Sequence, residues 1–282
     1  MSICRLELIE KELKKSHIIP KFAFDYMKST GSKYLRKIEN PDIRYQDGTK
    51  EFLLCGDCEQ RFSKRERWFA NNIFFPYLNE AKRKIVYDEN LGYFITSLLW
   101  RVLISQLKHV SVMKENRLIF LNDVEKEWRH FLLNLEFPIN YNNFNIFFTD
   151  RISHVSSDLI NVDLYFTRLI DATIVHNQDF SKVAIYAKFL RFIFWCPLIG
   201  YRYDNNATNV NLNSGIIEIP QNLDDDFITN FFYNRIKEFD NAKSPNEIQS
   251  EKIWNEILKN EDEFWASDAG KSLLNDMNNV RR

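Results

Sequence analysis

Four cysteines in a chain of 282 residues are too few for a disulfide scaffold, and a chain of this length can bury a core without covalent staples. Thiols in a reducing compartment, available to a metal, fit that usage better. No apolar run approaches the ~20 residues that a membrane span requires. The opening stretch MSICRLELIEKELKKSH carries a charge every few positions and so lacks the apolar core of a secretory signal. The reading is therefore a cytoplasmic protein with no membrane partner. Also absent are a Walker loop, G-x-G-x-x-G, G-x-S-x-G and H-E-x-x-H, which removes the chemistries those motifs carry. There is no internal repeat and no low-complexity linker, and 45% apolar with 27% charged residues describes a soluble globular chain of one or two domains.

The net charge of −1 conceals an asymmetry. Residues 1–84 hold 18 Lys+Arg against 12 Asp+Glu, whereas residues 204–282 hold 8 against 15. A basic N-terminal third is compatible with a polyanion partner. The acidic tail could cover that face on its own chain or on a neighbour.

The first 84 residues read as a small module: hairpin-like strands, a knuckle, then a helix. Asp47-Gly48 in PDIRYQDGTKEFLL marks a turn, and Phe62, Trp68, Phe69 and Ile73 recur at helical spacing. Residues 85–282 read as one body. Its core helices cover 91–115 and 121–137, the latter capped at Asn122 or Asp123. Segments rich in β-branched and aromatic residues follow at 157–177 and 182–201, with a hairpin turning at Asn213 to Gly215. Helices return after Pro220, one of them opening at Ser244-Pro245, and form a helical acidic tail.

Cys55-x2-Cys58 in LLCGDCEQRF offers two thiolates at the spacing a tetrahedral zinc accepts. One pair is half a site. Cys4 can supply a third thiolate, with either Glu7, three residues after Cys4, or His17 as the fourth ligand; the alternative is a degenerate knuckle held together by packing. Cys196, inside FLRFIFWCPLIG, reads as a core residue.

SHIIP at 16–20, then a loop, then KEFLLCGDCE entering a helix, resembles the HNH (His-Me finger) nuclease pattern over roughly residues 4–75. It is still more similar to a group of uncharacterised bacterial proteins that share the SHIIPKF…LLC..CEQ opening. The resemblance implies an α+β fold in which a treble-clef or ββα-metal-like module packs on a larger mixed helix-and-sheet body. It implies a metal-dependent nucleic-acid endonuclease, with DNA ahead of RNA as substrate and defence against phage or mobile DNA as a setting. His17 matches the general base. Glu59 stands where the family has a metal-ligating His and could hold magnesium or manganese through oxygen. Ser16 takes the place of a second ligand, and the family's orienting Asn falls near Lys50 or Glu51, where the match fails.

Lys21, Arg61, Lys64 and Arg65 lie near these motifs in sequence, and Arg61, Lys64 and Arg65 share a helix face that could follow phosphates. The same spacing also describes a solvated face. Likewise His17 could cap or bind zinc, and Glu59 could be a first-turn acid favoured by the helix dipole. Asp47 could add a carboxylate to the site. Arg101, Arg168 with Asp171, Lys188 and Arg191 are charges set among apolar residues, where pairing is the rule. Two functions are carried forward: an HNH-like nuclease, and a catalytically inactive zinc-knuckle subunit with a protein partner or a second copy of the chain.

Overall fold

Hydrophobic periodicity and turn chemistry produce a mixed α+β fold, seen in a computed structural model that describes residues 2–110, 120–153 and 158–280. The chain opens with a minimal hairpin, β1 (Ser2–Ile3) and β2 (Glu10–Lys11). β3 (Leu13–His17) then runs to Pro20, which starts α1 (Lys21–Ser29). A second hairpin, β4 (Leu35–Lys37) and β5 (Asn40–Tyr45), follows. β6 (Lys50–Cys55) returns to pair antiparallel with β3, matching Leu13 to Cys55 and His17 to Lys50. Gly48 in the preceding turn is required by space: a Cβ there would lie 2.1 Å from the Phe24 ring.

α2 (Gly56–Phe69) leaves the end of β6, widens into a π-helical turn at Ala70–Phe74, and continues as α3 (Phe75–Glu80). Pro76 accounts for the widening, since it has no N–H to give to the carbonyl four residues back and its ring crowds that carbonyl. β7 (Lys84–Tyr87), α4 (Glu89–Val110) and α5 (Phe120–Asn134) come next. β8 (Asn145–Phe148), α6 (Val162–Arg168), β9 (Ile170–His176), β10 (Val183–Phe189) and β11 (Phe192–Ile199) then build an antiparallel sheet in the order β8-β11-β10-β9. β12 (Gly215–Glu218) is followed by α7 (Asp226–Asp240), α8 (Glu247–Lys259), α9 (Glu261–Ala266) and α10 (Asp268–Val280).

Strands β8, β10 and β11 of that sheet are buried on both faces, which explains why they read as nearly unbroken apolar runs, whereas β9 at the edge is mostly half-buried. The two-residue period deals β10 between two cores. Val183, Ile185, Ala187 and Phe189 enter the larger core with α2 and α4; Ala184 and Tyr186 join Trp195 beneath Ile228, Phe232 and Ile236 of α7. Lys188 is the exception inside the strand. It is fully buried and donates from Nζ to the carbonyls of Leu169 (2.9 Å) and Leu190 (2.8 Å), and burial pulls its pKa down to about 7.

The larger core runs through residue 84 without a break. Phe69 stacks on Phe94 (4.1 Å between centroids) and meets Phe189, Phe192 and Phe194 of the sheet. The composition change near residue 84 thus falls inside one continuous core rather than at a gap between two. Among the described residues, no helix is long and apolar enough to cross a membrane.

Several local expectations differ from the structure. β12 pairs with β7, far upstream in the chain, instead of forming a hairpin with residues 210–213, because Val210 donates to the carbonyl of Phe144. The segment at 157–177, read as rich in β-branched and aromatic residues, holds the short helix α6 before β9. α5 begins at Phe120, so Asn122 and Asp123 lie within it. Asn246, whose side chain accepts from the Gln249 amide, caps α8 in place of Ser244. Residues 111–115 of the expected first core helix, and His154, lie outside the described residues.

Because Phe69 joins both halves of the larger core, Phe69→Ala is expected to cost roughly 3–5 kcal/mol. Urea unfolding followed by tryptophan fluorescence and by circular dichroism should show one shifted transition in both signals.

Candidate functional site

The β1–β2 hairpin and the β6–α2 junction bring four side chains together. Cys4, Glu7, Cys55 and Cys58 place their ligand atoms within 4.8 Å of one another, a group that could hold a metal ion. Leu8 takes the left-handed backbone conformation (φ 59°) that turns the chain after Glu7, and its amide donates to the Cys4 carbonyl at 2.8 Å. The Cys55 amide donates to the Cys4 sulfur at 3.4 Å, as backbone amides do in metal knuckles.

The spacing suits zinc. Two sulfurs each about 2.3 Å from a tetrahedral zinc lie about 3.8 Å apart, and Cys4 and Cys58 are 3.8 Å apart. Cys55 Sγ lies 3.4 Å from Glu7 Oε2. Cys4 and Cys58 are shifted in opposite directions. Burial, then the neighbouring Cys55 and Cys4 sulfurs, push the Cys58 thiol up. For Cys4, burial is opposed and outweighed by the amides of Glu7, Cys55 and Leu6, which hold the thiol below its ordinary value. A divalent ion would compensate the charge of all three. Lys11 adds to that compensation, 2.8 Å from Glu7 and 3.3 Å from Asp57.

His17 stands at the other end of the same strand pair. It lies four residue steps along the strand from Leu13, the partner of Cys55, a distance of roughly 13 Å. Its Nε2 donates to Asp47 Oδ1 at 2.9 Å. Of the two candidates for fourth ligand, Glu7 therefore belongs to the cluster and His17 does not. Asp47 also accepts from Lys50 Nζ (2.5 Å) and from the Gly48 amide (2.9 Å). Burial acts to raise its pKa, but the bonds from Lys50, His17 and Gly48 outweigh burial and hold the carboxyl well below the usual range, so it stays ionised at neutral pH. Among the described residues none bonds Nδ1 of His17. Lys50, at the position the resemblance gives to the family's orienting Asn, faces His17 across the sheet and braces Asp47.

Glu59 is not brought to His17. It sits in the first turn after Cys58, at the cysteine end, and α2 then runs back along the strands. Glu66, two turns further on, is joined to His17 by Arg101, which donates to Glu66 Oε1 (2.7 Å) and to the His17 carbonyl (2.8 Å). Ser16 is buried on the opposite side of the strand.

The expected phosphate-following face is also divided. Arg61 donates to the carbonyls of Leu132 (3.0 Å) and Leu133 (2.9 Å), closing the C-terminal turn of α5. Arg65 lies 4.6 Å over the Tyr93 ring. Both guanidiniums are committed to the interior, leaving Lys64 exposed; Lys21 pairs with Asp25 at 2.6 Å. Of the embedded charges, Arg168 donates to Thr30 (2.8 Å) and Met27 (2.7 Å), while Asp171 pairs with Arg235 (2.6 Å).

The basic groups that do gather near His17 are Lys28, Lys33 and Lys50, which with Tyr34, Gln46 and Asp47 line a hollow of about 430 Å³. The excess of basic residues in the first third is visible in the sequence. Which lysines converge depends on how β4 and β5 fold over α1. Comparisons of the chain with family models, curated proteins and solved structures return no match.

About one metal ion per chain, zinc by the donor set, is expected in freshly purified protein, measured by plasma emission spectroscopy. Cys55→Ser should lose it and lower the melting temperature. His17→Ala should keep it, and metal loss in that variant would place His17 among the ligands.

Proposed function

We propose that the chain is an HNH-like nuclease that hydrolyses nucleic-acid phosphodiesters, with His17 as general base. The observation that carries this reading is the His17–Asp47 pair beside the lysine-lined hollow. A carboxylate on Nε2 fixes the imidazole's orientation and its tautomer, and stabilises the imidazolium that forms when Nδ1 takes a proton from an attacking water. An imidazole suits this task because it titrates near neutral pH. Lys28, Lys33 and Lys50 supply positive charge for the phosphate and for the charge that develops on it. The cysteine cluster, with zinc, fixes the far end of the strand pair and takes no part in the chemistry.

A catalytic magnesium or manganese ion, implied by the resemblance, would stabilise the leaving oxygen. Among the described residues no group of three His, Cys or carboxylate ligands other than the cysteine cluster comes together, and Glu66, the helix carboxylate nearer His17, is held by Arg101. The chemistry proposed therefore rests on the protein's own groups. Defence against phage or mobile DNA is a setting in which such an activity would serve.

A second reading, an inactive zinc-knuckle subunit of a larger complex, draws support from Ile3, Leu8, Ile9 and Phe52, large apolar side chains left exposed around the knuckle.

His17→Ala is expected to lower cleavage of DNA or RNA by roughly 10²-fold or more, with metal content and melting temperature unchanged. Cleavage is to be assayed with and without magnesium or manganese. Wild-type protein that cleaves neither nucleic acid under any of these conditions would leave the subunit reading.

A further inference from the structure

The lysine-lined hollow shares Asp47 with a second concavity. This cleft of about 780 Å³ opens between the β4–β5 hairpin and the edge of the body's sheet. The cleft walls include Phe24, Leu35 and Tyr45 on one side and Ile170, Ala172 and Phe239 on the other. Its volume is on the scale of pockets, roughly 300–1,000 Å³, that enclose compact organic ligands, about the bulk of a nucleotide or two.

The two spaces differ in chemistry. The hollow carries three lysines, whereas the cleft combines aromatic and aliphatic surface with charged groups of both signs, among them Glu39, Asp171 and Arg235. The arginines in the cleft are already engaged, Arg36 with the Pro41 carbonyl and Gln249, Arg168 with Thr30 and Met27, and Arg235 with Asp171; of the hollow's lysines, Lys28 pairs with Asp25 and Lys50 with Asp47, so the first phosphate contact falls to Lys33, exposed and without an ion pair among the described residues. β9 is an edge strand, so one side of its main chain is not tied into the ladder and can hydrogen-bond a bound molecule. Apolar walls that can receive a planar base, the edge of β9, and a basic hollow that shares with the cleft Asp47, the carboxylate bonded to His17, together describe a site for an unpaired nucleotide. In a duplex the bases are stacked and paired, and only their groove edges are presented. Duplex could reach the lysines but could not place a base in the cleft.

Resting on the nuclease reading of His17, we infer that the substrate is single-stranded nucleic acid, or an unpaired segment of it. The base enters the cleft between β4–β5 and β9, and the adjoining phosphate lies over Lys28, Lys33 and Lys50. Base stacking and backbone charge are the two general sources of affinity for single strands.

The test is fluorescence anisotropy with end-labelled eight-nucleotide single strands of DNA and of RNA, and with the DNA duplex of the same sequence, on His17→Ala protein so that the probe is not consumed. Either single strand is expected to bind about 10-fold or more tightly than the duplex, with affinity falling steeply as salt rises. Gln106→Trp, which fills the cleft from α4, should weaken single-strand binding about 10-fold. Lys33→Glu, an exposed change that cannot disturb the core, should weaken it similarly and flatten the salt dependence. Equal or tighter binding of duplex, or single-strand binding that neither substitution weakens, overturns the cleft assignment while leaving cleavage by His17 standing. Single-strand binding that follows the expected pattern in a protein whose wild type cleaves nothing supports the cleft and overturns the catalytic reading. Binding of none of the three probes overturns both.

Discussion

The antiparallel pairing of β3 with β6 is the constraint on which the rest of the site depends. Its register sets Leu13 opposite Cys55 and His17 opposite Lys50. One end of a two-stranded ribbon is thereby handed to the cysteine cluster, and the other to the imidazole. Two strands alone are marginal in water. Here the ribbon meets at one end a cluster drawn from two places in the chain, the β1–β2 hairpin and the β6–α2 junction, and packs along its length against α2, whose Phe62 and Phe69 are buried in the larger core. Arg101 ties the far end down as well, by holding the His17 carbonyl and Glu66 at once. With the backbone of its strand fixed at both ends, the His17 ring can be aimed by a single further contact, and Asp47 makes that contact.

The same register separates structure from chemistry. A metal ligand must stay where it is, while a general base must face an open space. In the proposed reading the strand geometry keeps the metal site and the base roughly 13 Å apart, so a loss of metal and a loss of base can be told apart by their effects. The insertion between the strands, α1 with β4 and β5, then gives the base its surroundings: Lys28 and Lys33 come from it, and Tyr45 lines the cleft. The body's sheet supplies the opposite wall through β9.

What the residues reveal follows from how local each signal is. Cys55-x2-Cys58 is a local spacing, and Cys4 with Glu7 repeats it, so the cluster is legible in the sequence itself. The α+β class is legible for the same reason, in helical and alternating periods. Asp47-Gly48 reads as a turn, but its carboxylate on His17 depends on the turn folding back over β3. Glu59 and Glu66 are both acids on one helix, and only the direction in which α2 runs decides which lies near His17. Arg61 and Arg65 have the spacing of a solvated or phosphate-following face. Their partners, the end of α5 and Tyr93, lie elsewhere in sequence, and a helix-face pattern carries no information about what packs on it. β12 finds β7 by the same long-range rule, which no turn signal encodes.

The central claim is that His17 and Asp47 act as one unit, base and orienting carboxylate. A double-substitution cycle on cleavage rates tests it most directly, because groups that work as a unit are strongly non-additive. With His17→Ala, Asp47→Asn and the pair combined, all at equal metal content, the combined variant is expected to cleave no more slowly than His17→Ala alone. Losses that multiply would mean that Asp47 acts independently of the imidazole, and the proposed base would lack the support this structure gives it.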